Sequence, residues 1–287
     1  MGVRAVLITG ASSGIGQATA LHLAKLGFLV FAGVRRADAV EQLQQQASSG
    51  LIPVMLDVED EASIAQAVQT VTDRVGARGL WALINNAGLA TAGPLEFLPL
   101  DLLKKQLDVN VIAQVAVTQR FLPLLRLAKG RVINMGSVAG KTTLPYIGPY
   151  NASKHALEAI TDVLRMELRP WGIAVSIVEP GVIRTPIWQK SVSAFDEMMQ
   201  DFPQEAHHYY GKQLSIVRRY VQKAERRGSD VQKVIRALEH ALTSSRPKTR
   251  YVVGLDARLR IMLQALPDRF LDWVIAKVLA HSSKSEP

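Results

Sequence analysis

The 287-residue chain contains no cysteine. Disulfides, thiol nucleophiles and thiolate metal sites are excluded, and cysteine usage says nothing about the redox compartment. Long apolar runs are also missing, since none reaches the roughly 18 residues that span a bilayer. The strand pattern that begins at Val3 leaves no room for a signal peptide. Met1-Gly2 is not continued as a myristoylation site, because Val6 stands where Ser or Thr is needed. No internal repeat or low-complexity tract stands out. His207 and His208 have no carboxylate or thiol partner at ligand spacing, so they read as surface residues and no metal is expected. Together these absences lead to the expectation of a soluble, cytoplasmic protein.

Hydrophobic residues make up 48% of the chain and charged residues 21%, which suits one large α/β domain with a substantial core. The net charge of +9 is unevenly placed. Residues 1–203 carry +1 and residues 204–287 carry +8.

In chain order, Val3–Thr9 reads as a nearly continuous apolar strand, of the kind buried on both faces of a parallel sheet. Thr9-Gly10-Ala11-Ser12-Ser13-Gly14-Ile15-Gly16 follows, and an alanine-rich helix runs to about Leu26, where Gly27 stops it. Glycines at such a turn let backbone amides approach a pyrophosphate, and the helix N-terminus favours its negative charge. A second strand, Phe28–Val34, ends in Arg35-Arg36. The carboxylate that often holds the ribose hydroxyl of NAD is lacking there, and a guanidinium can hold the 2′-phosphate of NADP instead.

A helix over Val40–Ala47 leads to strand Ile52–Leu56 and then Asp57-Val58. Another helix spans about Glu61–Val75. Strand Leu80–Ile84 ends in Asn85-Asn86-Ala87-Gly88, small and amide residues that suit a ligand crevice. Residues 101–128 read as a long helix carrying Asn110 and bent at Pro123. Strand Arg131–Met135 runs into Gly136-Ser137. Strand Ile173–Val178 meets Glu179-Pro180-Gly181. This alternation indicates a single doubly wound parallel sheet with right-handed crossovers.

Between the last two strands lies Tyr150-Asn151-Ala152-Ser153-Lys154. Pro149 suits a first helical position, and four-residue spacing puts the Tyr150 hydroxyl and the Lys154 ammonium on one helix face. A free tyrosine ionises near pH 10. A cation about 4 Å away contributes roughly 4 kcal/mol at an effective dielectric near 20. At about 1.4 kcal/mol per unit, the phenol is expected to fall by roughly three units, to around 7, where a general acid/base works best.

These motifs identify a family. Thr9–Gly16 matches TGxxxGIG, Asn85–Gly88 is NNAG, Tyr150–Lys154 is YxxxK, Ser137 precedes the tyrosine by thirteen residues, and Pro180-Gly181 follows in order. The chain closely resembles the short-chain dehydrogenase/reductases over about residues 3–185, plus a strand near Tyr251–Val253. The stretch Phe28–Arg35, the segment after Pro186 and Lys248–Gly254 are similar to hydroxysteroid and retinol dehydrogenases. The resemblance implies a Rossmann fold and a role for each motif residue. Tyr150 would be the acid/base, Lys154 would lower its pKa and hold the nicotinamide ribose, and Ser137 would hydrogen-bond the substrate oxygen. Asn110 would help hold a water relay to Lys154. Thr9, Gly10, Ser12, Ser13, Gly14, Ile15 and Gly16 would form the cofactor turn. Asp57, Val58, Asn86 and Ala87 would border the adenine, with Gly88 beside them. Pro180, Gly181, Val182 and Thr185 would flank the nicotinamide end. NADP(H) is the preferred cofactor, through Arg35 and Arg36, with NAD(H) also accommodated.

The expected organisation is a dinucleotide-binding and catalytic core (1–185), a substrate lid within the same domain (186–229), the last helix and strand of the core (230–255) and a C-terminal helical extension (256–287). The lid carries Trp188, Phe195, Met198, Met199, Phe202, Tyr209 and Tyr210, an adaptable apolar wall that suits a small apolar alcohol or ketone. Competing readings are a 3-oxoacyl reductase and a catalytically silent nucleotide-binding regulatory protein; intact Ser137, Tyr150, Lys154 and Asn110 oppose the latter. The basic C-terminal part has no aromatic-basic interleaving, so no nucleic acid is expected. Pro267 divides Ala257–Ala280 into two helices. In the second, Phe270, Val274 and Val278 form one apolar row, Leu271, Ile275 and Leu279 the next, with Trp273 beside them. Such a helix suits either peripheral membrane contact through residues 257–280 or packing against protein. Family resemblance implies a homodimer or homotetramer.

Overall fold

The computed structural model describes residues 2–46, 49–185 and 187–282. Its strands are β1 (Ala5–Ile8), β2 (Leu29–Val34), β3 (Leu51–Met55), β4 (Ala82–Asn85), β5 (Arg131–Met135), β6 (Ala174–Pro180) and β7 (Arg250–Val253). They form one parallel sheet of seven strands in the order β3-β2-β1-β4-β5-β6-β7. The doubly wound sheet expected from the strand–helix alternation is what forms. Val6, Leu7 and Ile8 of β1 are fully buried because helices cover both faces. Pro53 is tolerated in β3 because that strand lies at the sheet edge, where a ladder donor can be spared.

The helices of the first half are α1 (Gly14–Lys25), α2 (Ala37–Gln46), α3 (Glu61–Val75), α4 (Leu100–Leu107) and α5 (Ala113–Ala128). Those of the second half are α6 (Gly148–Leu168), α7 (Ile187–Gln200), α8 (Gln204–Arg227), α9 (Gln232–Thr243), α10 (Leu255–Leu263) and α11 (Asp268–Ser282). On one face of the sheet α1, α2 and α9 bury Leu23, Leu43, Leu238 and Leu242. On the other, α3 and α5 bury Ile64, Val71, Phe121 and Leu125. Phe121 is fully buried, and its replacement by alanine is of the kind that costs about 3–5 kcal/mol.

The expected long helix over 101–128 is interrupted, but not at Pro123. Helix α5 runs through Pro123 to Ala128, and the irregularity is a π turn at Asp108–Ile112. The π turn widens the helix where Asn110 leaves it to bond the backbone of Leu89, through Oδ1 at 2.9 Å and Nδ2 at 2.9 Å. The continuous stretch Leu100–Ala128 is long and apolar enough, by length and composition, to cross a membrane. Its Val117, Phe121, Leu124 and Leu125 are core residues, so that apolar face is already covered by the sheet.

Strand β1 has β2 on one side and β4 on the other, so the chain leaves it in opposite directions. In such sheets the crevice beyond the carboxyl ends of the strands at this reversal is where ligands bind.

Candidate active site

A cavity of about 600 Å³ lies at that reversal. Its first wall is the turn after β1. Gly10 adopts φ +66°, and a Cβ there would meet the Ala87 Cα at 2.8 Å, so only glycine fits. Ser12, Ser13, Gly14 and Ile15 line the cavity at the start of α1. Ser13 is the N-cap residue but its side chain makes no capping hydrogen bond. The first-turn amides have no intrahelical partner and face the cavity with the positive end of the helix dipole.

Thr9 and Gly16 stand behind this wall. Thr9 Oγ1 accepts from the amides of Asn86 and Ala87, both at 2.9 Å, and so ties the end of β1 to the end of β4. A Cβ on Gly16 would lie 2.4 Å from the Gly10 carbonyl oxygen and 2.5 Å from Asn86 Nδ2. Asn86, Ala87 and Gly88 line the cavity, as does Val58, while Asp57 does not. Asp57 instead accepts the Glu59 amide at 3.1 Å through Oδ1. The paired arginines also separate. Arg35 lines the cavity, whereas Arg36 makes a bidentate pair with Asp38 at 3.0 and 2.8 Å and is largely exposed.

Ser137, Tyr150 and Lys154 meet on the β5–α6 side of the same cavity. Pro149 occupies the first turn of α6. Ser137 Oγ accepts the Ala139 amide at 3.1 Å, which caps the 3₁₀ turn Val138–Gly140 and fixes the serine. The Ser137 and Tyr150 side chains line this side of the cavity together. Lys154 Nζ donates to the Met135 carbonyl at 2.7 Å and lies 5.7 Å from the Tyr150 ring centroid. Asn110 is one layer back, with Nδ2 donating to Ser153 Oγ at 3.1 Å. Pro180, Gly181, Val182 and Thr185 form the opposite wall.

The expected lowering of the Tyr150 pKa is not found. Burial pushes the phenol above its ordinary value, and the neighbouring Ser137 hydroxyl and the Arg260 charge only partly oppose this. The reason is geometric: the lysine cation points at the Met135 carbonyl, and the phenolate that would form is partly desolvated. Lys154 itself is drawn down to about 8 by burial, with the Glu158 carboxylate opposing.

The lid departs from expectation as well. Phe202 and Tyr210 pack on Phe97 at ring-centroid distances of 6.4 and 5.9 Å, and Tyr210 also meets Tyr146 at 6.2 Å. Tyr210 donates to Glu96 at 2.6 Å. From α8 it is Val217 that lines the cavity among the described residues. The Trp188 side chain lies outside the described residues. His207 and His208 are exposed on α8.

Two side chains that sequence reading did not single out stand at the cavity. Arg260 lines it, and Asp256 Oδ2 accepts the Val182 amide at 2.8 Å. Their four-residue spacing on α10 was a visible signal, but it reads equally as an ordinary exposed ion pair.

A family model described as short chain dehydrogenase matches residues 4–195. The chain belongs to the short-chain dehydrogenase family. Mouse retinol dehydrogenase 5 is 39% identical, covering 98% of this chain and 90% of its own. Bovine 17-beta-hydroxysteroid dehydrogenase type 6 is 37% identical over 95% of this chain and 87% of its own. The crystal structure of a short-chain dehydrogenase from Streptomyces avermitilis superposes with a TM-score of 0.77 at 26% identity, covering all of both chains. The resemblance to retinol and hydroxysteroid dehydrogenases therefore extends beyond the motifs to nearly the full chain, including α10 and α11.

Proposed function

We propose that this protein is an NADP(H)-dependent oxidoreductase that interconverts an apolar, steroid-, retinoid- or lipid-like alcohol and its carbonyl compound. The observation that carries the reading is a single cavity with two chemically distinct ends. One end offers the turn after β1, the first-turn amides of α1 and Arg35; the other brings Ser137, Tyr150 and Lys154 together. The glycine cradle at Gly10 and the Arg35 guanidinium fit a dinucleotide with a 2′-phosphate. When bound, the nicotinamide supplies or accepts the hydride.

The chain's own residues supply the rest. In the reductive direction charge develops on the carbonyl oxygen, where the Ser137 and Tyr150 hydroxyls donate hydrogen bonds. Tyr150 delivers its proton to that oxygen, and in the oxidative direction takes it back. Lys154 holds a positive charge beneath the tyrosine ring and stabilises the phenolate that remains. Asn110, holding Leu89 and Ser153, keeps the segment behind Lys154 in place for a water relay. The relatedness to retinol and hydroxysteroid dehydrogenases supports the apolar substrate class.

We also assign a cytoplasmic location with peripheral membrane contact through α10 and α11, supported by exposed Leu259, Met262 and Trp273. Self-association as a homodimer or homotetramer is supported by Val163, Met166 and Trp171, which leave apolar surface exposed on and just after α6. The direct test of the activity is a screen of lipophilic alcohols and ketones with both cofactors, read as absorbance of the reduced nicotinamide. Turnover of an apolar alcohol or ketone with NADP(H) is the expected result; turnover confined to acyl-carrier substrates, or none, rejects the reading.

A further inference from the structure

Helix α10 crosses from one side of the cavity to the other. Near its start, Asp256 Oδ2 accepts the Val182 amide at 2.8 Å. A Cβ on Gly181 would lie 2.1 Å from that oxygen, and one on Gly254 would lie 2.4 Å from Oδ1. The carboxylate is thus seated in a backbone cradle that two glycines leave open, Gly181 on the loop that follows β6 and Gly254 between β7 and α10. One turn later, Arg260 Nη2 donates to Thr142 Oγ1 at 2.6 Å, and Thr142 Oγ1 donates to the Val138 carbonyl at 3.1 Å. Val138 begins the 3₁₀ turn that Ser137 caps, and Ser137 lines the cavity with Tyr150. Arg260 lines the cavity itself.

On an isolated helix surface an aspartate and an arginine four residues apart would add about 0.2–0.5 kcal/mol to each other. Here the two side chains reach in different directions, each to a loop that builds the site. We propose that α10 is a clasp across the active site, with Asp256 and Arg260 as positioning residues. Asp256 holds the Gly181–Val182 loop in place for the cofactor. Arg260 holds the Ser137 turn through Thr142 and keeps a fixed positive charge in the cavity that Tyr150 lines. The part played by Arg260 rests on the oxidoreductase reading above; the part played by Asp256 is read by cofactor binding alone.

The charged groups around Tyr150 are Lys154 on its own helix and Arg260 on α10, with Glu158 behind Lys154. Arg35, Lys105 and Glu59 also line the cavity, the last two paired at 2.7 Å. Arg260 is therefore the cation whose removal acts on Tyr150 without disturbing the helix that carries it.

The experiment compares Asp256→Ala, Asp256→Asn, Arg260→Met, Arg260→Lys and Thr142→Val in the full chain. NADP(H) binding is followed by fluorescence of the reduced cofactor, and kcat is followed from pH 6 to 10 with an alcohol substrate. Asp256→Ala is expected to weaken cofactor binding about tenfold, the loss of one charge-assisted hydrogen bond, with Asp256→Asn recovering most of it. Arg260→Met is expected to lower kcat at least about tenfold and to move the midpoint of the kcat–pH profile upward. Arg260→Lys should restore the midpoint but not the full kcat. Thr142→Val, which keeps the charge and cuts the bridge, should lower kcat with the midpoint unmoved.

Parental kcat and midpoint in an Arg260→Met variant of parental melting temperature would overturn the role of Arg260. If that variant fails to fold, Arg260→Lys and Thr142→Val decide instead, and parental kcat in both overturns it. Parental cofactor binding by Asp256→Ala overturns the other half of the clasp. A parent protein that binds NADP(H) but turns over no alcohol or ketone rejects the oxidoreductase reading, and with it the role of Arg260, and leaves the Asp256 comparison decisive.

Discussion

At the scale of single residues, the site combines a half-buried tyrosine with a lysine whose ammonium donates to the Met135 carbonyl. The hydroxyl of Tyr150 is the group through which proton transfer is proposed, and Tyr150→Phe removes it while keeping the ring. Turnover should fall by about 10²–10⁴ or more, with NADP(H) affinity nearly unchanged; near-normal turnover would end the assignment. The two arginines after β2 make a second prediction, now asymmetric. Arg35 faces the cavity and Arg36 is committed to Asp38. Arg35→Ala should reduce the preference for NADPH over NADH by roughly 10- to 150-fold, the equivalent of about 1.5–3 kcal/mol for a charge-assisted contact. Arg36→Ala should leave the ratio of kcat/KM values nearly unmoved. A parent enzyme that already favours NADH contradicts the proposal.

At the scale of elements, α6, β6 and β7 are joined behind Lys154 by a charge network in which Glu158 and Glu179 are buried. Arg250 on β7 contacts Glu158 on α6, Glu179 on β6 at 3.0 Å and Asp162 on α6 at 2.6 Å. Lys141 reaches Glu158 at 3.0 Å. Burial and the adjacent Glu158 carboxyl push the Glu179 pKa from its ordinary 4.5 up to about 7, against the pull of Arg250 and Lys141. Glu158 Oε1 is buried without a donor unless Glu179 keeps its proton. The folded state therefore binds this proton more tightly than the unfolded chain does. Its contribution to stability is greatest below about pH 4.5 and is lost as pH rises to about 7. Glu179→Gln keeps a hydrogen-bond donor and removes the ionisation. The melting temperature of the parent should drop between pH 5 and 7.5 by more than that of Glu179→Gln, measured by circular dichroism. Parallel pH profiles for the two proteins would show that Glu179 does not carry this proton.

At the scale of the whole molecule, the basic excess lies in residues 204–287, which carry +8 of the net +9. Helix α11 packs on α8 and puts Leu279 into the cavity wall. Its other side is outward, with Phe270 49% and Trp273 56% exposed, their rings 5.7 Å apart and Lys277 above Trp273. Leu255, Leu259 and Met262 of α10 are exposed as well. Packing against protein thus accounts for one face of α11, and the other face is exposed and partly apolar. Removing the segment would also remove Asp256 and Arg260, so membrane contact is better tested with Leu259→Gln combined with Trp273→Gln. The parent should co-sediment with anionic vesicles at low salt and less so as salt rises, each nearby basic group adding about 1 kcal/mol. The double variant should sediment less, and neutral vesicles should retain less of either protein. Equal, negligible sedimentation of both proteins would remove membrane contact.

The sequence by itself determined the parallel sheet, the turn after β1 and the placing of Tyr150 and Lys154 on one helix face, while Ser137 was joined to them by the family resemblance. The first three features follow from strand periodicity, glycine placement and helical spacing, all of which act between near neighbours. Strand Arg131–Met135 and helix Glu61–Val75 form with the bounds expected of them. Only the tertiary structure decided which arginine reaches the cavity, that the lid aromatics pack on Phe97 and Tyr146, and that α10 enters the site. Arg260 and Thr142 are 118 residues apart, and no local pattern encodes such a contact. The direction of the Tyr150 shift was settled in the same way. Helical spacing brings the lysine onto the right face, but desolvation depends on everything packed around the phenol, and here it outweighs the attraction that spacing alone predicts.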